Sequence, residues 1–406
     1  MTSTIAASTP TRRLSHRAGF WVTAATFLVL MAFNTVPTPL YAVYQARDGL
    51  PTFLVTVMFA AYSAGVMISL SLAGHLSDRL GRRPLILAAT AIEIVAAVMF
   101  ALWADVGGVI VARLVAGLGI GLLTASATAH LADLHRASPS SSPGFAATVA
   151  GVANMGGLAL GPLIGGVFAE FAPAPLVLPY VVFLLAFLGL GLAYAFVPET
   201  VPVDGSFRYH PQRVRIPAAG RRAYWAAGAA AFAAFSVTGL FGSVAPTFLA
   251  GQLEQRDHLV AGAVTFSVFG AAALAQVAFA RLSVRAQLKL GLGAMVAGLL
   301  VLGAADLLVS GVLFVAGGVI AGAGVGLLFR GALATAGGLA DARTRGEITS
   351  GVFLLGFAGM TVPPLAVGAA LLALPLVPVF LGFVVLVLGL VGWAGTVILR
   401  ETAPRG

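Results

Sequence analysis

Long apolar runs alternate with short polar clusters along the whole chain. The apolar runs fall at approximately 18–44, 52–73, 84–104, 107–132, 145–169, 175–197, 223–250, 259–280, 289–305, 308–331, 349–371 and 376–399. A helix that crosses the bilayer core needs about 20 such residues. Because lipid offers no water to bond backbone groups, helices suit these runs. The pattern predicts an all-α integral membrane protein with twelve transmembrane helices.

Composition excludes a soluble protein. Of the 406 residues, 59% are apolar and 9% are charged, whereas a soluble domain carries about 25% charged residues. The chain has no cysteine, which excludes disulfide scaffolds and thiol nucleophiles. The sequence shows neither the histidine spacing of a metal site nor a glycine-rich phosphate loop. We therefore expect no enzyme activity, no metal and no other cofactor.

The basic residues are distributed unequally between the two sides of the predicted membrane. Nineteen Lys and Arg residues fall on the side of the N-terminus, and two, Arg47 and Arg256, fall on the other. The positive-inside rule then predicts a multi-pass protein of the cell membrane with both termini in the cytoplasm. Topology accounts for most of the net charge of +9. We therefore expect no nucleic-acid partner. We also expect the protein to be a monomer in the lipid bilayer.

An internal repeat divides the chain into two halves. The sequence AGLGIGLL at 116–123 recurs as AGAGVGLL at 321–328, an offset of 205 residues. Six helices in each copy give both copies the same orientation, so we expect a binding site between the halves near the midplane. The predicted organisation is a tail (1–17), a six-helix bundle (18–197), a linker (198–222), a second six-helix bundle (223–399) and a tail (400–406).

Three motifs resemble those of the major facilitator superfamily. They are the loop GHLSDRLGRR at 74–83, Arg113 followed by Gly117, Gly119 and Gly121, and Gly157 followed by GPLIGG at 161–166. The third is similar to the fifth-helix motif of the family's twelve-helix proton-coupled exporters of drugs and metabolites. The resemblance implies a secondary active transporter that exports a small organic molecule in exchange for protons by alternating access. Two alternatives stay open: an importer or facilitator of a neutral or anionic molecule without proton coupling, and a non-transporting receptor or scaffold.

The loop motif is expected to latch the two halves on the cytoplasmic side. The resemblance assigns this role to Gly74, Asp78, Arg79, Gly81, Arg82 and Arg83, with the eleventh helix receiving the acid. Thr349 and Ser350, ahead of that helix, are suitable N-caps. The alternative is that the arginines only fix the topology.

Small residues in the fifth run are spaced for close helix packing. They are Gly157, Gly161, Pro162, Gly165 and Gly166. Glycines four residues apart let two helices approach closely in lipid, and Pro162 introduces a local bend. The resemblance adds that these surfaces slide during rocking of the halves.

Charged side chains inside the apolar runs are the clearest candidates for chemistry. Glu93 lies in the third run, Arg113 in the fourth and Arg330 in the tenth, while Asp133 lies near the end of the fourth. Each charge costs about 2.5–3.5 kcal/mol to insert, so it tends to mark a pathway. We name Glu93, Arg113 and Asp133 as candidates for proton coupling. Glu93 and Arg113 are equally able to form a structural pair, and Arg330 to reach the membrane interface instead.

The resemblance also implies that the first, fourth, seventh and tenth helices line a substrate cavity. The candidates on these helices are Asn34, Thr35, Tyr41, Arg113, Phe241 and Arg330. Many proton-coupled drug exporters of the family carry an acid on the first helix, and this run has none. The predicted cavity is therefore polar, aromatic and basic, and we expect a neutral or anionic substrate. The alternative for the aromatic residues is packing between helices.

Overall fold

The computed structural model describes residues 13–73, 80–138, 144–201, 220–252, 254–255, 257–339 and 345–401. Within these ranges every regular element of secondary structure is a helix, which confirms the predicted all-α class. The helices are α1 (His16–Thr35), α2 (Pro37–Asp48), α3 (Thr52–Ala73), α4 (Arg82–Leu102), α5 (Val106–Arg136), α6 (Phe145–Gly151), α7 (Gly157–Phe171), α8 (Leu178–Tyr194), α9 (Arg221–Ser243), α10 (Ala245–Gln252), α11 (His258–Ala278), α12 (Val284–Leu307), α13 (Gly311–Gly338), α14 (Arg345–Ala370) and α15 (Leu376–Glu401).

These helices account for the twelve predicted spans. Eleven stretches of the described chain are long and apolar enough to cross a membrane, and α8 is a shorter apolar helix of 17 residues. We call the end of the bundle at which α4, α9 and α14 begin the basic face, and the other end the opposite face. The predicted linker lies largely outside the described residues, as does most of the C-terminal tail.

Proline interrupts the first and seventh spans at corresponding places. The first span bends at Val36, between α1 and α2, and the seventh bends at Val244, between α9 and α10. Pro37 and Pro246 follow these positions and have no N–H with which to continue the helical hydrogen bonds. Pro37 and Pro246 therefore leave the carbonyl groups of Phe33 and Gly242 without the usual N–H donor four residues later. The fifth span is also irregular, because a π-helical turn, Val152–Gly156, separates α6 from α7.

Each half of the chain has its own aromatic core. In the first half, the ring of Phe33 lies 5.1 Å from that of Phe187. In the second half, the rings of Phe248 and Phe314 stack 4.6 Å apart. The halves meet along two seams, where α7 packs against α11 and α3 packs against α14. The arrangement fits the predicted six-plus-six duplication.

The prediction of N-caps for the eleventh span is wrong. The helix α14 begins at Arg345, so Thr349 and Ser350 lie inside it rather than ahead of it. The apolar pattern placed the start at 349 because the first helical turn is polar. A polar turn that extends beyond the bilayer core carries no hydrophobic signal.

Candidate functional site

Glu93 is a fully buried acid in the middle of α4. Its side chain is 0% exposed, and its Oε1 atom accepts a hydrogen bond from Asn34 Nδ2 at 3.2 Å. Its other oxygen, Oε2, has no hydrogen-bond partner among the described residues. A Cβ atom on Gly119 would lie 3.0 Å from Glu93 Oε1, so the glycine makes room for the carboxylate. The acid is thus held between α1, α4 and α5.

Arg113 reaches the same part of α1 from α5. The side chain is 1% exposed, and its Nη1 atom donates to the carbonyl oxygen of Asn34 at 2.5 Å. Asn34 lies in the last turn of α1, where the helix dipole is negative and favours a cation. Asn34 therefore bonds Glu93 through its side chain and Arg113 through its backbone. We call this network of Glu93, Asn34 and Arg113 the candidate coupling site.

Two aromatic rings of α3 hold the Arg113 guanidinium group. Its central carbon lies 4.5 Å from the ring centre of Tyr62 and 5.7 Å from that of Phe59, both within the range of cation–π attraction. Both rings also face the second half. A Cβ atom on Gly242 of α9 would lie 2.6 Å from the Phe59 ring, and the rings of Tyr62 and Phe357 lie 6.4 Å apart. The surroundings of Arg113 thus extend to the interface between the halves.

Five of the six predicted cavity residues are enclosed by packed helices. Asn34 and Arg113 form the network above, and Thr35, Tyr41 and Phe241 are 6%, 1% and 0% exposed. The hydroxyl of Thr35 donates to the carbonyl oxygen of Leu158 in α7 at 2.9 Å. The Phe241 ring packs 5.3 Å from the Phe314 ring. A substrate-binding role for these residues stays a prediction.

Arg330 is the sixth predicted cavity residue, and it is partly exposed. Its Nη1 atom donates to the carbonyl oxygen of Gln276 at 2.6 Å, and Nη2 donates to that of Ala280 at 3.4 Å. Gln276 lies in the last turn of α11, at the negative pole of the helix, and Ala280 lies two residues beyond its end. Arg330 therefore binds the end of a helix near the basic face.

The small residues of the fifth span divide into two sets. Side chains on Gly157, Gly161 and Gly165 would overlap carbonyl oxygens of α1 or the residue that follows it, so these glycines permit packing within the first half. A Cβ atom on Gly166 would instead lie 2.8 Å from the carbonyl oxygen of His258, at the start of α11. Pro162 faces the same seam, because a side chain on Gly262 would overlap its carbonyl oxygen. The helix α7 therefore packs both against α1 within the first half and against α11 of the second half.

The second half repeats this division at an offset of 202 residues. Gly359, the counterpart of Gly157, packs against the backbone of Phe232 in α9, within its own half. Gly368, the counterpart of Gly166, packs against Thr56 of α3, across the interface. The duplication thus preserved both joints between the halves.

A carboxylate closes the start of α4 at the basic face. Glu199 accepts hydrogen bonds from the backbone N–H groups of Arg82 at 3.1 Å and Arg83 at 2.9 Å. Gly81 precedes them with φ of 93°, a conformation that favours glycine, and a Cβ atom there would lie 2.6 Å from Glu199 Oε2. An anion at a helix N-terminus is stabilised by the free N–H groups and the helix dipole.

The other predicted latch residues that can be described bond within the first half. Arg82 Nε lies 3.4 Å from Asp133 Oδ2, and Arg83 donates to the carbonyl oxygen of Ala195. Asp133 also pairs with Arg136. Gly74, Asp78 and Arg79 lie outside the described residues, so the predicted latch between the halves stays a prediction.

Asp133 is well separated from the candidate coupling site. Arg82 begins α4 and Glu93 lies eleven residues further along, which is about 16 Å at 1.5 Å per residue. The predicted set of Glu93, Arg113 and Asp133 therefore divides into a site in the middle of the bundle and an ion-pair cluster at the basic face. Glu199 was not predicted as a site residue, although the repeat of Glu-Thr at 199–200 and 401–402 offered a signal.

Solved structures with the same fold support this architecture. The human organic anion transporter MFSD10 (TETRAN) aligns over 95% of this chain and 100% of its own, with a TM-score of 0.66 and 20% identity. A bacterial homolog of the human lysosomal transporter Spinster, solved in an inward-facing and unoccupied conformation, aligns over 96% of this chain and 99% of its own, with a TM-score of 0.68 and 15% identity. At these identities the likeness concerns the fold alone.

Curated relatives and a family model extend the comparison to sequence. The multidrug transporter MdfA of Yersinia pestis bv. Antiqua (strain Angola) is 27% identical over 308 residues, which is 72% of each chain. The arabinose-proton symporter of Bacillus subtilis (strain 168) is 30% identical over 84 residues, which is 21% of this chain and 18% of that protein. The model of the Major Facilitator Superfamily matches residues 22–364. The chain therefore belongs to the Major Facilitator Superfamily and is a multi-span membrane transporter rather than an enzyme.

Proposed function

We propose that this protein exports a small organic molecule in exchange for protons, by alternating access between its two halves. The observation that carries the proposal is the network of Glu93, Asn34 and Arg113. A buried carboxylate with one free oxygen is a natural proton acceptor, and intramembrane acids commonly serve as proton relays. The similarity to a multidrug transporter supports export as the direction. In this proposal the basic face is cytoplasmic and both termini lie in the cytoplasm.

Protonation of Glu93 changes the charge balance of the first half. While Glu93 is ionised, its charge offsets that of Arg113, with Asn34 bonded to both. When Glu93 binds a proton, Arg113 becomes a buried cation without a compensating anion, which is costly in a low-dielectric interior. A conformation that gives Arg113 other partners is then favoured, and the equilibrium between conformations shifts.

The rings beside Arg113 offer a route from this charge change to the interface. Tyr62 and Phe59 contact the guanidinium group on one side and the second half on the other. A displacement of Arg113 therefore alters packing at the seam between α3 and α14. Protonation of Glu93 can therefore change the packing between the halves and so favour one orientation of the halves over the other.

Contacts at the opposite face support a form closed on that side. Glu170 of α7 accepts a hydrogen bond from the backbone N–H of His258 at 3.2 Å. Thr247 of α10 lies 3.4 Å from Gln45 of α2. Toward the basic face, in contrast, Thr128 is an exposed polar residue of α5. We assign the substrate entrance to this side, where Arg330 is also partly exposed and favours a neutral or anionic compound.

The test uses purified protein in proteoliposomes with a pH-sensitive dye. A panel of neutral, anionic and cationic organic compounds is first screened for transport. The compound that is transported is then supplied as the substrate, and the pH-sensitive dye reports the proton release that accompanies its transport. We expect Glu93→Gln to abolish substrate-linked proton release, while Glu254→Gln, which changes an exposed carboxylate, leaves it intact. If Glu93→Gln retains normal coupling, the proton role of Glu93 is wrong. Transport without proton movement in the wild type would instead support the facilitator.

A further inference from the structure

Three cations lie at similar depths where α12 begins and α15 ends, at the basic face of the second half. They are Arg285 and Lys289 of α12 and Arg400 of α15. The two helices pack against each other, because a Cβ atom on Gly395 would lie 2.7 Å from the side chain of Leu292. Counted from that contact toward the basic face at 1.5 Å per residue, Lys289, Arg400 and Arg285 lie about 5, 8 and 10 Å away. We call these three residues the cation cluster.

The charges of the cation cluster have no partner among the side chains that the structure describes. Neither Arg285 nor Lys289 forms an ion pair with a described acid, and Arg400 forms none either. The Nε atom of Arg285 is also buried without a hydrogen-bond acceptor in this part of the chain. Buried N–H groups nearly always have an acceptor in folded proteins. The cluster therefore lacks an anion within the described chain.

The corresponding corner of the first half is neutralised by the chain itself. The third and ninth spans correspond in the repeat, and they are α4 and α12. The carboxylate of Glu199 closes the start of α4, and Asp133 pairs with Arg82 and Arg136. At the start of α12 the N-cap is instead the neutral hydroxyl of Ser283. An anion from outside the chain can therefore take the place that Glu199 has in the first half.

The side of α12 that carries Lys289 is open to lipid. Val296 and Leu300 are 36% and 58% exposed, and they follow Lys289 by seven and eleven residues, which places all three on one side of the helix. Gly293 lies between them, and a Cβ atom there would have no other atom within 4 Å. This side of α12 is therefore apolar over its length and ends in a cation near the basic face.

Trp393 of α15 marks the level of the membrane boundary beside the cluster. Its side chain is 51% exposed, and exposed tryptophans of membrane proteins are enriched where the headgroups meet the hydrocarbon. Trp393 lies two residues before Gly395, on the side away from the basic face. The cation cluster therefore lies on the headgroup side of this boundary, and the open side of α12 lies on the hydrocarbon side.

We propose that the cation cluster binds the headgroup of an anionic phospholipid, whose acyl chains lie along the open side of α12. A phosphate group offers several acceptor oxygens, which suit the forked donors of Arg285 and Arg400 and the point charge of Lys289. Each cation near a membrane surface favours anionic lipid by about fivefold in affinity. The lipid thereby supplies the anion that this corner lacks, and its binding does not depend on the proton role of Glu93.

The test uses Trp393 as a fluorescent reporter in the full-length protein. The other three tryptophans, Trp21, Trp103 and Trp225, are replaced by phenylalanine. The protein is placed in phosphatidylcholine vesicles with increasing fractions of phosphatidylglycerol that is brominated on its acyl chains, because bromine quenches a tryptophan that it contacts. We expect this lipid to quench Trp393 at a mole fraction about tenfold lower than brominated phosphatidylcholine does, and high salt to reduce the preference.

Single substitutions then locate the binding site. Lys289→Gln and Arg400→Gln should each lower the preference by about fivefold, and both residues are exposed, so the packing of the helices is kept. Arg136→Gln is the matched control, because it removes an arginine of the same face whose charge is already paired with Asp133. The preference should then stay as in the wild type. A protein that keeps only Trp103, at the opposite face, should show no preference.

Equal quenching of Trp393 by the two brominated lipids would overturn the proposal. A preference that Arg136→Gln lowers as much as Lys289→Gln does would also overturn it, because lipid would then respond to the net charge of the whole face. Inorganic phosphate should restore the fluorescence no more than chloride of the same ionic strength does. Restoration by phosphate alone would show that the cluster binds free phosphate instead of a lipid.

Discussion

The hydroxyl of Thr35 donates a hydrogen bond to the carbonyl oxygen of Leu158 at 2.9 Å, in place of a bond that the helix cannot make itself. The usual donor to this carbonyl is the N–H four residues later, and that residue is Pro162, which has none. The fifth helix therefore depends on the first for a backbone hydrogen bond. Thr35 is in this structure a packing residue between α1 and α7.

This relationship predicts that Thr35→Val destabilises the protein while Thr35→Ser does not. Valine has nearly the shape of threonine but leaves the Leu158 carbonyl unpaired inside the membrane. The loss should be about 1–2 kcal/mol, within the range of hydrogen bonds between membrane helices. Thermal unfolding in detergent and in nanodiscs would measure it. Equal melting temperatures for the valine and serine variants would contradict the assignment.

Arg113→Lys is expected to abolish coupling in a protein that still folds. Lysine keeps the positive charge but lacks the planar group that stacks on Tyr62 and reaches the Asn34 carbonyl. We expect substrate-linked proton release to fall by about tenfold or more, since two oriented interactions are lost. The matched control is Arg330→Lys, whose bonds to helix carbonyls at the end of α11 an ammonium group can partly replace. Coupling that survives in Arg113→Lys would show that charge alone suffices.

Gly166→Val should disturb the joint between the halves, whereas Gly161→Val should disturb the first half itself. A side chain at Gly166 meets the start of α11, and one at Gly161 overlaps the backbone of α1. We expect Gly166→Val to retain its melting temperature but to open the seam at the opposite face. Because the chain has no cysteine, a pair of cysteines at Glu170 and His258 reports this seam by crosslinking.

In the protein that carries the two cysteines, the crosslinking yield should be high, and it should fall when Gly166→Val is added. For Gly161→Val we expect a lower melting temperature instead. An equal crosslinking yield with and without Gly166→Val would show that Gly166 is not part of the joint between the halves.

Gly81→Ala is expected to destabilise the basic face. The residue has φ of 93°, and a Cβ atom there would press on the carboxylate of Glu199. Gly81 has φ of 93° and ψ of 154°, a region that glycine adopts almost alone, and alanine there costs about 1–3 kcal/mol before any displacement of Glu199. Hydrogen exchange at the start of α4 should rise, as it should in Glu199→Ala, which removes the cap. Protection equal to wild type in both variants would contradict the capping role.

The number and bounds of the membrane helices followed from the sequence because lipid imposes one simple requirement. Each span must be apolar over about 20 residues, and this signal is read along one segment at a time. The fourth predicted span, 107–132, lies within α5, and the third, 84–104, differs from α4 by two residues at each end. Errors arose where helices extend beyond the apolar region, as at the start of α14.

The contacts of the site could not be predicted in the same way, because they depend on helix rotation and on distant segments. A structural pair of Glu93 and Arg113 was one of two alternatives for these residues, but nothing in the sequence indicates that Asn34 joins them. Thr35 was assigned to the cavity by its helix alone, whereas its partner is a carbonyl group made free by a proline on another helix. Glu199 lies more than 100 residues from the helix that it caps.

The two halves of the duplicated chain share the glycines at which they join, but they do not share the buried charges. The joint glycines occur in both halves, but the counterpart of Arg113 at the offset of 205 is Gly318, which packs against the ring of Phe241. In the proposed mechanism the proton chemistry therefore belongs to the first half alone, and the second half follows its movements through the joints at Gly166 and Gly368. Substitutions of polar side chains in the second half should then change substrate preference more readily than proton coupling.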